Sequence, residues 1–461
     1  MRDHRKALMI FRRDLRLDDH TALNQALRRA DAVITAFIAD ERQLAAHPYR
    51  SLPGLAFMLE SLTELDAALR AHGGALTIWQ GSAEAAIARL IERHAIDAVW
   101  INRDYTPFSR ARDTAIAELC VRRGVAFYQC DDALLVAPEH ALKADGAPYT
   151  IFTPFFRNAA QYPVPRPDPL APGCLLSIDG DLTLGALQQH CHSAWRDCEA
   201  RVRGGRRMAS RALANLARLA NYDATRDRLA LPDGSSSLSA HLKFGTCSIR
   251  EAYHTIKTTF GATHGLLRAL YWRDFFTHIA WHFPHVFGHA FHRQYDALPW
   301  TDKPMHFTAW CQGLTGFPIV DAGMRQLNAT GFMHNRARMI TASFLVKDLH
   351  LDWRDGERYF AQHLVDYDPA VNNGNWQWAA STGCDAQPYF RIFNPWLQQK
   401  KFDPDGVYVK QWLPELRDVP ARALYESNAD RGPTYPRPLV DHTVEARVSK
   451  NLFQTYRENS V

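Results

Sequence analysis

Five short apolar runs, at residues 7–11, 32–39, 76–80, 98–102 and 125–130, are separated by amphipathic stretches through the first 130 residues. Runs of this kind with helical stretches between them build β-α units, and such units assemble a mainly parallel, doubly wound sheet. Between the second and third runs Leu55, Leu59, Leu62, Leu65 and Leu69 recur at steps of three and four, ahead of Gly73-Gly74. That spacing predicts an amphipathic helix with a glycine stop, and Ser82 is placed to cap the next helix. Doubly wound sheets take ligands at the carboxyl ends of their strands, yet the chain carries neither G-x-G-x-x-G nor G-x-x-x-x-G-K-[ST]. A nicotinamide-dependent dehydrogenase and a P-loop enzyme are thereby disfavoured.

Further on, Pro163, Pro165, Pro167, Pro169 and Pro172 suit neither a helix interior nor a central strand. Residues 131–198 are therefore expected to form an extended linker between an α/β domain over 1–130 and a second domain over 199–461. Helical patterns at 199–229, 249–259, 265–282 and 336–349 predict that the second domain is large and all-α. Lys+Arg exceed Asp+Glu by only 54 − 49 = 5, which excludes a polycation, so any nucleic-acid contact must be a local patch. Eight cysteines without one C-x-x-C pair disfavour a disulfide framework, a zinc ribbon and a thioredoxin motif. No apolar stretch reaches the length of a membrane span, and the expectation is a cytoplasmic monomer without a membrane partner.

Chemistry concentrates in the α domain. Trp272-Arg273, Arg336, Arg338, Trp376, Trp378 and Arg391 interleave aromatic faces with guanidinium groups. Such a mixture suits unstacked bases beside phosphates, although aromatics at helical spacing more often fill a core. His278 and His282 share a helix face but lack the Glu of H-E-x-x-H, and Pro284 and Gly288 interrupt the pattern before His289. No metal site is expected there, nor in the H-C-H-S-A-W-R-D-C cluster at 190–198. Gly234 followed by Ser235, Ser236, Ser237, Leu238 and Ser239 can offer backbone N–H groups and hydroxyls to a phosphate, or simply form a loop and cap.

Taken together and in order, F-R-R-D-L-R-L-D-D-H at 11–20, S-S-S-L-S-A-H-L-K-F-G at 235–245, W-R-D-F-F at 272–276, D-A-G-M-R-Q-L-N-A-T-G-F-M-H-N-R at 321–336 and D-Y-D-P-A-V-N-N-G-N-W-Q-W-A-A-S-T-G at 366–383 resemble the DNA photolyase/cryptochrome family. The pattern is most similar to class I cyclobutane pyrimidine dimer photolyases. The resemblance implies an N-terminal antenna domain, a C-terminal helical domain holding FAD, and light-driven repair of damaged DNA. It implies that Tyr222 and Ser235–Ser239 hold the FAD phosphates, with Trp272, Asn335, Arg338, Asp366, Asp368 and Asn372 around the rings. It implies an electron-transfer chain of Trp376, Trp353 and Trp300. A lesion cavity lined by Trp272, Asn335, Arg336, Met339 and Trp378 is implied too, with Arg226, Arg273, Arg391 and Gln398 on the DNA side. The alternative within the family is a blue-light photoreceptor that keeps FAD and the tryptophans but repairs weakly or not at all.

The chain departs from the pattern at several positions. Ala269 stands where dimer-repairing members carry a Glu that bonds the dimer base, and Arg268, about 100° away around the helix, is not expected to replace it. Ser237 replaces a common Arg, and Phe332 a common Trp. Asn335 with Met339, in place of two histidines, favours cyclobutane dimers over 6-4 photoproducts. The run Y-T-P-F-S-R-A-R-D at 105–113 lacks the Glu, and Phe287-Gly288 the Lys, of folate-binding members. An antenna folate is thereby weakened, and a deazaflavin, a second flavin or no antenna all stay open.

Overall fold

The computed structural model describes residues 2–192, 202–231, 234–385 and 391–458. Strands β1 (His4–Phe11), β2 (Ala30–Ala39), β3 (Leu76–Gln80), β4 (Ala98–Asn102) and β5 (Ala126–Cys130) form a parallel sheet in the order β3-β2-β1-β4-β5. They coincide with the five apolar runs to within three residues. β1 is buried from Ala7 onward, as a strand covered by helices on both faces must be. The leucine-rich stretch forms the helix Leu52–Ala71, capped by the Ser51 hydroxyl on the Gly54 N–H, with Leu59, Leu62, Leu65 and Leu69 buried. It stops at Gly73, whose φ of 83° only glycine adopts freely. Ser82 caps the helix Ala83–His94 as expected.

Strand order reverses between β1 and β4, so their carboxyl ends diverge and open a crevice between Phe11–Asp14 and Asn102–Asp104. The helical domain packs against this edge.

The segment expected as an extended linker is more structured than its prolines suggest. Residues 163–174 form neither helix nor strand, but they are flanked by the helix Phe152–Ala159 and by β6 (Leu175–Leu176), which pairs with β2. A further helix, Leu184–His192, packs on Leu52–Ala71. Phe152 and Phe155, three apart and both buried, give the first of these helices its apolar face. The pattern expected as one helix over 199–229 is broken into Arg206–Ala214, a 3₁₀ turn at Asn215–Leu219 and a short helix Tyr222–Thr225. Asn215 and Asn221, residues of low helix propensity, sit at the breaks. Residues 199–201, and 193–198 of the cysteine and histidine cluster, lie outside the described residues.

Other helices follow the sequence closely: Ile249–Phe260, Gly265–His282 and Asn335–Lys347. His278 and His282 pack as aromatic neighbours 4.6 Å apart, and burial pushes the His278 pKa down to about 4. No described helix is long and apolar enough to cross a membrane.

Candidate functional site

The helix Pro369–Ala380 organises the site. Asp368 caps it by accepting the Ala370 and Val371 N–H groups at 3.1 and 3.2 Å, and Pro369 supplies a favourable first position. One turn apart, Asn372 and Trp376 are both buried. Asn372 donates its amide to the Glu357 carbonyl at 3.1 Å, which fixes its orientation. Trp376 packs edge-on against Phe360 at 4.9 Å and lies 6.2 Å from Trp310. It occupies one apolar core with Trp353, which is fully buried, and with Trp300, which is partly exposed beside Phe453.

Gly356 completes the seat of Trp376. A Cβ there would collide with Trp376 Cη2 and Leu345 Cδ2. Gly356→Ala is expected to destabilise the protein by about 1–3 kcal/mol through overpacking. It should also displace the indole, which denaturant titration and tryptophan fluorescence would check.

Arg338 donates to Asp366 at 3.0 Å and to the Met333 carbonyl at 2.8 Å. The helix bearing Arg338 also packs on Pro369–Ala380. The second Asp366 oxygen is buried without a hydrogen-bond partner, as are Gln398 Oε1 and Arg336 Nε. Buried polar atoms are nearly all bonded in folded proteins, so the orphaned Asp366 oxygen, on a residue the resemblance places at the flavin, marks where a polar ligand or water completes it. A guanidinium–carboxylate pair beside a fixed amide, with acceptors to spare, fits the ring system and ribityl hydroxyls of a flavin dinucleotide.

The other predicted residues divide. Tyr222 is half-buried under Arg226, whose guanidinium carbon lies 5.6 Å from its ring. Ser235, Ser236 and Ser237 are half-buried, Leu238 is buried, and Ser237 holds a left-handed φ of 55° just before the short helix Ser239–Phe244. Asn335 is exposed, with its amide 3.8 Å from Met339 Sδ. Trp272 lies face to face with Phe152, centroids 3.6 Å apart and planes 6° from parallel. Met339, Trp378 and Gln398 are half-buried, and Arg391 is exposed beside Phe393.

Three side chains go elsewhere than expected. Arg273 donates to the Ala133 and Leu242 carbonyls at 2.6 and 3.3 Å, bracing the two domains, so its guanidinium is not free for DNA. Arg336 is tied to Asp227 at 2.6 Å and covers the Phe402 ring, so it lies against protein on both counts. The Asp368 carboxylate, besides capping its helix, pairs with Arg13 from the end of β1, and Arg13 also meets Asp104 at 3.1 Å. Burial alone would raise the Asp368 pKa, but Arg13, Lys243 and Arg273 hold it below the usual range. Asp368 thus faces the α/β domain. Phe152 and Arg13 had no assigned role in the sequence reading; the aromatic run F-T-P-F-F at 152–156 was the available signal for the first.

A second cavity of about 660 Å³ opens at the strand-order reversal. Arg12, Arg13, Arg42, Arg50, Arg112 and Lys243 line it and outnumber Asp40 and Asp104, which pair with Arg42 and Arg13, so its wall is cationic on balance. Arg112 Nη2 and Arg50 Nε are buried without partners, and burial, with Arg13 adding to it, pushes the Lys243 pKa down to about 7. Ser109, Phe287 and Gly288, from the two segments that depart from the folate pattern, line the same cavity. Glu357 lies on its far wall, its pKa pushed up to about 7 by burial despite hydrogen bonds from Tyr49, Asn373 and Asn372.

A doubly wound parallel domain joined to a large helical domain is the architecture of a class of two-domain flavoproteins. Residues 7–171 match the family model for DNA photolyase, and residues 266–455 match that for the FAD binding domain of DNA photolyase. The chain belongs to the DNA photolyase family, and its helical domain is the family's FAD-binding domain. It is 38% identical to the deoxyribodipyrimidine photo-lyase of Escherichia coli, covering 96% of each chain, and 36% identical to that of Alkalihalophilus pseudofirmus, covering 96% of this chain and 97% of the relative. Its structure superposes with a TM-score of 0.88 on an archaeal photolyase from Sulfolobus tokodaii described as holding two FAD molecules; the identity is 42%, covering 98% of this chain and all of the other. A cryptochrome from Synechocystis sp. PCC6803 also superposes at 0.88, with 26% identity over 98% of this chain and 99% of the other.

Proposed function

We propose that this protein repairs cyclobutane pyrimidine dimers in DNA under blue light. The observation that carries this reading is the Arg338–Asp366 pair, with its orphaned carboxylate oxygen, packed beside the helix that presents Asn372 and Trp376. When bound in its reduced form, FAD supplies the electron that opens the cyclobutane ring and takes it back afterwards. The chain's own residues set the conditions. Arg338 and Asp366 hold the polar edge of the ring system, and Asn372 offers a neutral amide that tolerates an anionic flavin better than a carboxylate would. Tyr222 and the 235–239 run hold the phosphates, and Trp376, Trp353 and Trp300 pass electrons inward from the surface.

On the lesion side Trp272, Met339 and Trp378 form an apolar wall that excludes water, with Asn335 at its rim. A dimer inside a duplex cannot reach such a wall, so it is flipped out, as the photolyase class of enzymes does generally. Arg226 and Arg391 meet the flanking phosphates and Gln398 the strand, with damaged DNA the partner of a monomeric enzyme. The cationic lining of the second cavity favours an antenna chromophore that carries phosphate, such as a flavin nucleotide, over an uncharged ring.

The test is dimers split per photon on an oligonucleotide with one dimer, using photoreduced protein. The native chain is expected to repair. Ala269→Glu should tighten dimer binding by about 1.5–3 kcal/mol, the worth of a charge-assisted hydrogen bond. Ala269 favours the photoreceptor alternative, and that reading wins if neither protein splits dimers while both hold reduced FAD.

A further inference from the structure

Guanidinium groups around the lesion wall are unequally free. Arg273 is spent on two carbonyls and Arg336 on Asp227, as described above. Arg268 received no role in that site, yet it is exposed and stands one helical turn before Trp272 on Gly265–His282. Its guanidinium carbon lies over the Phe152 ring at 5.3 Å and 5.8 Å from the centre of the Phe156 ring. Among the described residues it meets aromatic rings and no carboxylate. Phe152 is itself the ring stacked on Trp272. Arg268 does not take the place of the missing acid at 269; its long side chain curls back over the preceding surface, where the aromatic pair holds it.

Two further observations give this group a direction. The helix Tyr222–Thr225 packs on the start of Gly265–His282, where the Asp223 carboxylate abuts Gly265 and the Tyr222 ring lies 6.0 Å from His264. Arg226, exposed above Tyr222, therefore stands at the same helix end as Arg268, but it faces Asp227 at 3.9 Å and Asp223 lies beside it, which leaves Arg268, among the described residues, as the guanidinium without a carboxylate on the approach to Trp272. Beside Arg268, Ala269 supplies no carboxylate that would neutralise it.

We propose that Arg268, steadied by Phe152, is the phosphate contact at the mouth of the lesion cavity. This rests on the dimer-repair reading above. In place of an acid that reads the base edge, the chain presents a cation that grips the backbone next to the flipped dimer. Affinity for damaged DNA then comes from phosphate pairing, and it depends on salt. Phe152 is a positioning residue, acting through the guanidinium it carries.

The test measures binding of FAD-loaded protein to matched oligonucleotides with and without one dimer, over a series of salt concentrations. Arg268→Ala is expected to weaken binding to the dimer strand by about tenfold and to lower the log–log salt slope by roughly 1. The loss on undamaged DNA should be smaller, because the contact forms only when the dimer is flipped. Arg268→Lys should keep the salt slope. Phe152→Leu should lower dimer affinity while keeping the slope, an outcome that simple misfolding, checked by flavin content, would not give. Unchanged affinity and slope in Arg268→Ala, with the native chain still preferring dimers, overturns this inference alone. A native chain without any preference for dimers overturns the repair reading and this one with it.

Discussion

Trp376→Phe is expected to keep FAD bound and to slow light-driven reduction of the flavin by at least roughly tenfold, which corresponds to about 1.4 kcal/mol of added barrier. Trp376 sits one turn along the helix from Asn372 and shares a core with Trp353 and Trp300, so it is the indole next to the proposed flavin position and the first relay outward. Phenylalanine fills most of the space between Phe360 and Gly356 but is far harder to oxidise, so packing is largely kept while the relay is cut. Trp310 serves as the control: it is buried in the same core and donates its indole N–H to the Thr341 carbonyl at 3.0 Å, yet it belongs to no matched motif. Trp310→Phe should leave the rate near native. Bleaching of oxidised flavin absorbance under continuous blue light with an external reductant gives both rates. Equal rates in Trp376→Phe and the native chain would remove Trp376 from the relay.

The largest stability effect is expected at Asp132. Its carboxylate accepts two bonds from Arg16 at 2.7 and 2.8 Å, one from Arg250 at 2.9 Å and one from the Thr21 hydroxyl at 2.8 Å. Arg250 comes from the helical domain and Arg16 from the loop after β1, so one carboxylate ties both domains together. Arg16 and Asp132 are 2% and 3% exposed, which makes the pair a desolvated one. Asp132→Asn keeps the shape but leaves the buried Arg16 without a carboxylate partner, while Arg250 keeps Asp19 at 2.9 Å, a loss of about 3–5 kcal/mol.

The pH dependence follows from the same network. Burial would raise the Asp132 pKa, but Arg16 and Arg250 hold it far below the usual range. A carboxylate depressed in the folded state contributes its full stability above its unfolded pKa of about 3.9, and that contribution is lost as pH falls below it. The gap between native chain and Asp132→Asn should therefore be widest near neutrality and shrink below about pH 4. Denaturant titrations at several pH values measure it, and a gap that does not change with pH would show that the charge is not what holds the domains.

Local periodicity was enough for most elements. The five strands and Gly265–His282 follow from residues that are near neighbours in sequence, because the faces of a strand or helix are set by steps of two or of three to four. The matched motifs likewise contain the residues proposed for the flavin site within short runs. What the sequence alone could not decide is how each charged side chain spends its bonds. Arg13 finds Asp368 across 355 positions and Arg336 finds Asp227 across 109, while Arg273 reaches the Ala133 carbonyl across 140. Such pairings depend on which surfaces the packed domains bring together, and no spacing along the chain encodes them. The same holds for the linker: its prolines were visible, but the Phe152–Trp272 stack and the β6 pairing arise only once the helical domain and the sheet offer partners to residues that are far away in sequence. Sequence by itself therefore determined the elements and the family, whereas the tertiary structure alone decided which guanidinium groups are tied to protein carboxylates and carbonyls, because a buried charge takes the nearest partner that packing provides.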